Sequence, residues 1–121
     1  MKHDWKKSAA SVIASLSPSE REASIVYLEK RVFAPGEAPV CPECKGNEEE
    51  PLVIAFVDLE PGLNWAHRGR YVILDGNNRV LRVIEVSHPP FLTGVSPDLR
   101  LIYRGKNAPE WAAVTLESID D

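Results

Sequence analysis

The fold of this chain is decided by the run Leu52-Val53-Ile54-Ala55-Phe56-Val57-Asp58-Leu59. The run is almost entirely apolar and rich in β-branched residues, and it is much shorter than the ~20 apolar residues that a membrane-spanning helix requires. Such a segment predicts a strand that is buried on both faces and central in a sheet. The following Glu60-Pro61-Gly62 ends the strand, because proline cannot donate to a β-ladder and glycine permits a tight turn.

The chain that follows this run predicts three more strands. Residues 70–75 and 79–86 are strand-like and flank Gly76-Asn77-Asn78, whose residues tolerate positive φ, so this arrangement predicts a β-hairpin. Residues 99–104 alternate well enough for a further strand. The segment 109–119 is ambiguous, because it opens like a helix and ends like a strand, and we favour a strand for its end.

The N-terminal part of the chain predicts two helices. The apolar positions of the first recur at helical spacing, at Trp5, Ala9, Val12, Ile13 and Leu16. Ser17-Pro18-Ser19-Glu20 has the pattern of a capping box with proline in the first turn, which predicts the start of a second helix. We expect that helix to run to about Val32, with Ile25 and Leu28 on its inner face.

These elements predict an α+β fold: an N-terminal helical pair packed on a mainly antiparallel sheet of about four strands. A length of 121 residues suits a single domain with its own core, 1–121. Within it we expect a helical part at 1–33, a Pro-rich loop that contains Cys-Pro-Glu-Cys at 34–51, and a β part at 52–121.

Composition and charge restrict the class of partner. The chain is 44% apolar and 26% charged with a net charge of −4, as in an ordinary globular protein, and this balance argues against nucleic acid and membrane as partners. The start of the chain carries Asp4 and several serines, which favours an amphipathic helix over a signal peptide. A cytoplasmic protein is therefore predicted.

The motif Cys41-Pro42-Glu43-Cys44 resembles one knuckle of a zinc ribbon. Two thiolates at this spacing can chelate one tetrahedral ion, but a structural zinc site needs four ligands and the chain has no second Cys-x-x-Cys. The missing ligands would come from His67 and His88, or from a second chain across the axis of a homodimer. The alternatives are a turn with free thiols and no cofactor, or a redox-active disulfide, which the Pro-rich flanks disfavour.

The loop between the central strand and the hairpin is the second candidate site. It combines an indole, an imidazole and two guanidinium groups, a mixture typical of binding hot spots: Trp65, His67, Arg68 and Arg70. The alternative is that Trp65 and His67 have only packing roles. A catalytic interpretation places His67 at its centre as a base, oriented by Asp58, with Cys41 as a nucleophile.

No complete catalytic motif is present, so the leading prediction is a non-enzymatic protein-interaction or regulatory module of unknown partner that uses the Trp65–Arg70 loop. The second hypothesis is a small zinc-binding domain organised by Cys41 and Cys44. The third is an enzyme with His67 in a site beside the central strand.

Overall fold

The computed structural model describes residues 2–37, 50–63 and 67–120 of the chain. The elements in this part are two α-helices, five strands and two short 3₁₀-helices. In chain order they are α1 (Trp5–Ala14), α2 (Pro18–Ala23), β1 (Ile25–Glu29), β2 (Leu52–Asp58), β3 (Gly69–Asp75), β4 (Val80–Val86), a 3₁₀-helix at Pro90–Thr93, β5 (Leu99–Arg104) and a 3₁₀-helix at Glu110–Ala112.

The described strands form one sheet in the order β4-β3-β2-β1-β5, and every pairing in it is antiparallel. The α+β fold and the central position of β2 are therefore confirmed. The predicted number of about four strands is corrected to five in the described part of the chain. The hairpin of β3 and β4 forms around Gly76 to Asn78, with Asn78 at φ 64°.

The extra strand comes from residues assigned by sequence to the second helix. That helix ends at Ala23 and not near Val32, so the helical part stops well before residue 33. Ser24 is already extended, and β1 follows with all five of its residues buried. The physical reason is position: β1 lies between β2 and β5, where a continuous apolar run can bury both faces.

The helix starts follow the sequence signals closely. Ser17 accepts a hydrogen bond from the Glu20 amide at 3.2 Å, and the Glu20 carboxylate accepts one from the Ser17 amide at 2.9 Å, which completes the predicted capping box. Asp4 caps α1 by accepting from the Lys7 amide at 3.1 Å. These caps fix where each helix begins.

Both faces of the sheet are covered over the central strands, whereas β4 at the edge stays largely exposed. One face, here called the helix face, packs against Val12 and Leu16 of the α1 region and carries Val26, Leu28, Val53, Ala55, Val57, Val72 and Leu74. The opposite face, here called the loop face, packs against Phe91 and the segment 108–113 and carries Ile25, Tyr27, Ile54, Phe56, Tyr71 and Ile73. Since successive strand residues alternate between faces, Glu29 and Asp58 belong to the loop face.

The segment 109–119 forms neither of the predicted elements in full. Its start is the 3₁₀-helix Glu110–Ala112, and no strand is assigned in the rest of the segment. The Leu101 amide of β5 nevertheless donates to the Glu117 carbonyl at 2.7 Å. The segment therefore lies beside β5 at this point without forming a β-ladder with it.

Candidate functional site

The site begins where β2 ends. Asp58 is the last residue of β2 and is only 5% exposed, on the loop face beyond Ile54 and Phe56. Its Oδ1 accepts a hydrogen bond from the Glu60 amide at 3.1 Å, which turns the chain out of the strand. Because side chains alternate along the strand, the Asp58 carboxylate lies on the same face as Ile54 and Phe56, at a buried position at the edge of the core.

The loop between β2 and β3 returns to the same place. The Leu59 amide donates to the Arg68 carbonyl at 3.2 Å, and the Arg68 amide donates to Glu60 Oε1 at 2.7 Å. These bonds close the base of the loop and fix the residue next to Arg68. That residue is His67, which therefore faces the end of β2.

Asp58 and His67 form a buried pair. His67 Nε2 lies 3.0 Å from Asp58 Oδ1, and each side chain is 7% exposed. Burial raises the pKa of the Asp58 carboxyl, while the charge of a protonated His67 and the Glu60 hydrogen bond oppose that rise. The arrangement can hold an imidazole in one orientation, which is the geometry of a positioned acid–base group.

A cleft of about 260 Å³ opens beside this pair. Its lining combines the pair with apolar and aromatic groups: Asp58, Gly62, Leu63, His67, Pro89, Phe91, Trp111, Ala112 and Val114. Trp111 is 76% exposed and Leu63 is 60% exposed. The cleft thus joins a buried polar pair to an exposed apolar surface, the usual composition of a binding site.

Gly62 allows Trp111 to lie against the loop. Gly62 has φ +92°, and a Cβ built on it would be 3.3 Å from both Trp111 and Pro109. A side chain at this position would therefore be strained and crowded by the indole. The close approach of the Trp111 indole to Gly62 places Trp111 at the cleft, although most of its side chain stays exposed.

Aromatic rings form the floor between the strands and the loops. Phe91 contacts Tyr27 and Phe56 edge-to-face, with ring centroids 5.2 and 5.5 Å apart. The Tyr27 hydroxyl accepts a hydrogen bond from the Val114 amide at 3.0 Å. Burial raises the pKa of Tyr27 to about 12, while this hydrogen bond opposes the rise. Tyr27 therefore stays neutral near neutral pH and anchors the segment that carries Trp111.

The predicted binding residues have different surroundings. His67 lines the cleft, and Arg68 is exposed next to it. The Arg70 side chain is 15% exposed and is bound by Glu20 and Glu85, so it joins α2 to the sheet. Trp65 lies outside the described residues. Arg70 has a structural role here, and the binding predictions for all four residues stay predictions.

The structure describes two of the four predicted metal ligands, His67 and His88. Cys41 and Cys44 lie outside the described residues. His88 is exposed, with Nδ1 3.2 Å from the Ser87 hydroxyl, and it precedes Pro89 of the cleft. Within the described ranges, no group of three or more His, Cys, Asp or Glu residues is arranged to hold a metal ion. The zinc hypothesis stays a prediction from the sequence.

Sequence reasoning missed three residues that line the cavities of this face: Glu29, Phe91 and Trp111. Glu29 lies in the segment that the sequence predicts as the second helix, and no pattern in the sequence links Phe91 to a site. Of the three, Trp111 could have been noticed in the sequence, because it is a large aromatic residue after Pro109 and Glu110 in a segment with neither helical nor strand periodicity. These three residues meet on one face of the sheet because of the order of its strands, which the sequence does not reveal.

Comparison with known proteins gave no match to this chain, whether to a protein family, to a curated protein or to a solved structure. In the part of the chain that the structure describes, no helix has the length and apolar character needed to cross a membrane. The functional argument therefore depends on the geometry of the site.

Proposed function

We propose that this chain is a cytoplasmic protein-interaction module whose cleft beside Asp58 and His67 receives an apolar side chain of a partner protein. The observation that carries the proposal is Trp111, which is 76% exposed at a cleft of about 260 Å³. An exposed tryptophan next to a preformed concavity is the type of residue that dominates binding energies in protein interfaces. This function develops the interaction module predicted from the sequence.

The surface around the cleft supports this proposal. Leu63 and Trp111 approach it from different segments, and both leave most of their surface exposed. A partner that covers them would remove apolar surface from water, which favours association. The paired Asp58 and His67 form the polar part of the lining, so an apolar side chain would lie against the aromatic and aliphatic part, and this division would orient the partner.

The loop 59–68 connects this cleft to the predicted binding residues. His67 lines the cleft and the exposed Arg68 is its neighbour in the chain. Arg68 lies where a rim charge would guide the approach of a partner without carrying most of the affinity. The predicted role of the loop is therefore compatible with the cleft.

Selection of peptides from a displayed random library against the wild-type protein tests the proposal. We expect enriched peptides with an apolar anchor, whose affinity falls by about tenfold or more in Trp111→Ala, as for a hot-spot residue. The control is Val83→Ala, which removes exposed apolar surface on β4, on the helix face beside Val72. Failure to enrich any peptide, or equal binding by Trp111→Ala and the wild type, would contradict the proposal.

The Asp58–His67 pair favours a second candidate function, an enzyme in which His67 transfers a proton. Their 3.0 Å contact at the cleft is the supporting observation, since an oriented imidazole can act as a general acid or base. A panel of chromogenic esters, amides and phosphoesters tests it. Turnover that His67→Gln abolishes and Trp111→Ala only weakens would support it, whereas no turnover, or turnover that His67→Gln leaves intact, would exclude the reactions tested.

A further inference from the structure

A second, smaller cavity lies on the loop face and is separate from the Asp58–His67 pair. Its volume is about 40 Å³. Most of its lining is apolar or aromatic, including Ile54, Phe56, Tyr71, Phe91 and Leu99. Glu29 is the charged member of this lining, so its carboxyl sets the electrostatic character of the cavity.

The Glu29 carboxyl occupies a buried position beside this cavity. The residue is 8% exposed, and Ser96 donates a hydrogen bond to its Oε2 at 2.8 Å. Ser96 Oγ also accepts from the Asp98 amide at 3.2 Å, so the same hydroxyl holds the loop that borders the cavity. Burial raises the pKa of Glu29, and the hydrogen bond from Ser96 opposes the rise.

The charged neighbours of Glu29 have other partners. Arg100 donates to the Pro97 carbonyl at 2.9 Å and pairs with Glu117 at 3.3 Å. Arg31 pairs with Glu37 and lies over the Phe33 ring at 4.8 Å from its centroid. The negative charge of Asp98 opposes ionisation of the Glu29 carboxyl, while the positive charges of Arg31 and Arg100 still favour it. Because burial is the largest influence on the Glu29 carboxyl, a further positive group in the cavity would stabilise its ionised form.

The walls of the cavity suit a cation on an alkyl chain. Phe56, Tyr71 and Phe91 present aromatic rings, whose faces attract a positive group. Ile54 and Leu99 are apolar, and they can contact the methylene stem of a lysine while its ammonium group reaches the carboxylate.

The size of the cavity selects among cations. A single water needs roughly 10–15 Å³ of such a cavity, so about 40 Å³ accommodates a compact head group of a few atoms. An ammonium group is compact, whereas a guanidinium is a wide planar fork. The cavity therefore favours a primary amine over an arginine side chain.

We propose that this cavity is a binding pocket for a primary ammonium group on an alkyl chain, such as a lysine side chain of a peptide, with Glu29 as the counter-ion. The pocket does not require the Trp111 cleft to bind anything. Because Phe91 lines both, occupation of one is expected to be detectable at the other.

An NMR titration of the ¹⁵N-labelled protein with Nα-acetyl-lysine N-methylamide tests the proposal. We expect saturable shifts of the Glu29 and Ser96 amides, with weak affinity because the probe is small. The norleucine analogue is a control that keeps the alkyl chain and lacks the ammonium group. The arginine analogue is a control that carries the wider guanidinium group. We expect little chemical-shift change from either. Equal shifts with the norleucine analogue, or no saturable shift with the lysine analogue, would overturn the proposal without affecting the cleft.

A variant pair tests the role of the carboxyl. Glu29→Gln keeps the shape of the side chain and removes its charge, so we expect binding of the lysine analogue to weaken about tenfold or more. Glu22→Gln is the control, since Glu22 is an exposed partner of Lys106 outside the cavity. Unchanged affinity in a folded Glu29→Gln variant would overturn the proposal, and the analogue series on the wild-type protein remains decisive if that variant does not fold.

Discussion

Asp58 and His67 lie near the two ends of the loop that joins β2 to β3, and their side chains meet at 3.0 Å. Both side chains are 7% exposed, so the contact is made away from most solvent. The pair therefore joins the end of β2 to the residues just before β3, in addition to lining the cleft. Removing one partner leaves the other buried without its counterpart, which is costly.

This contact predicts non-additive effects of substitution. His67→Ala should lower the free energy of unfolding by roughly 3 kcal/mol, because it leaves the Asp58 carboxylate buried and unpaired. Adding Asp58→Asn to His67→Ala should recover on the order of 1–2 kcal/mol, because the unpaired charge is then gone. Urea denaturation of the wild type, both single variants and the double variant measures the coupling. Strictly additive losses would show that the pair is not energetically linked.

A second prediction concerns acid stability and the Glu20–Arg70 ion pair. Hydrogen bonding to Arg70 is the main cause that lowers the pKa of Glu20 from 4.5 to about 2. A carboxyl with a lowered pKa stabilises the fold above its unfolded pKa, and this contribution is lost as pH falls through the folded value. The difference in stability between wild type and Glu20→Gln should therefore be constant above about pH 5 and shrink toward pH 2.

Chemical denaturation at a series of pH values measures this difference. Glu22→Gln is the matched control, since Glu22 lies in the same helix and pairs with Lys106 through a side chain that is 51% exposed. Its effect should be small at every pH. A difference between wild type and Glu20→Gln that does not change with pH would contradict the assignment.

A third prediction concerns Gly105 at the end of β5. A Cβ on Gly105 would be 2.3 Å from the Arg21 carbonyl oxygen, and the Gly105 amide donates to the Ser24 carbonyl at 2.8 Å. Gly105→Ala should therefore push α2 away from β5 and lower the free energy of unfolding by about 3 kcal/mol. Thermal unfolding compared with Gly76→Ala, where a Cβ meets nothing within 4 Å, tests this. Equal melting temperatures for the two variants would refute the packing argument.

A fourth prediction tests the zinc hypothesis for Cys41 and Cys44. If the knuckle holds zinc, elemental analysis of freshly purified, untagged protein should find the metal in stoichiometric amount and a thiol titration should find both cysteines protected. Cys41→Ser should then release the metal. Two reactive thiols with no bound metal would instead favour a plain turn, and the Trp111 cleft would remain the site to study.

Local signals in the sequence account for the parts of the fold that were predicted well. The capping box at Ser17 and Glu20 and the Gly76–Asn78 turn each depend on residues close in the chain, so they can be recognised without the tertiary structure. The same locality explains the error at Ile25 to Glu29. A short apolar run fits a buried helix face or a buried strand equally well, and only its place between β2 and β5 decides which forms.

The sequence by itself determined the central strand 52–58, the hairpin and the chemistry available beside them, because these follow from apolar runs, turn residues and side-chain types. The types of side chain in the sequence also indicated Asp58 and His67 as a candidate pair of orienting acid and base. Only the tertiary structure decided that Glu29, Phe91 and Trp111 share a face with them, since these residues come from distant segments. The physical reason is that strand order, set by the burial of both faces of the sheet, determines which distant side chains meet.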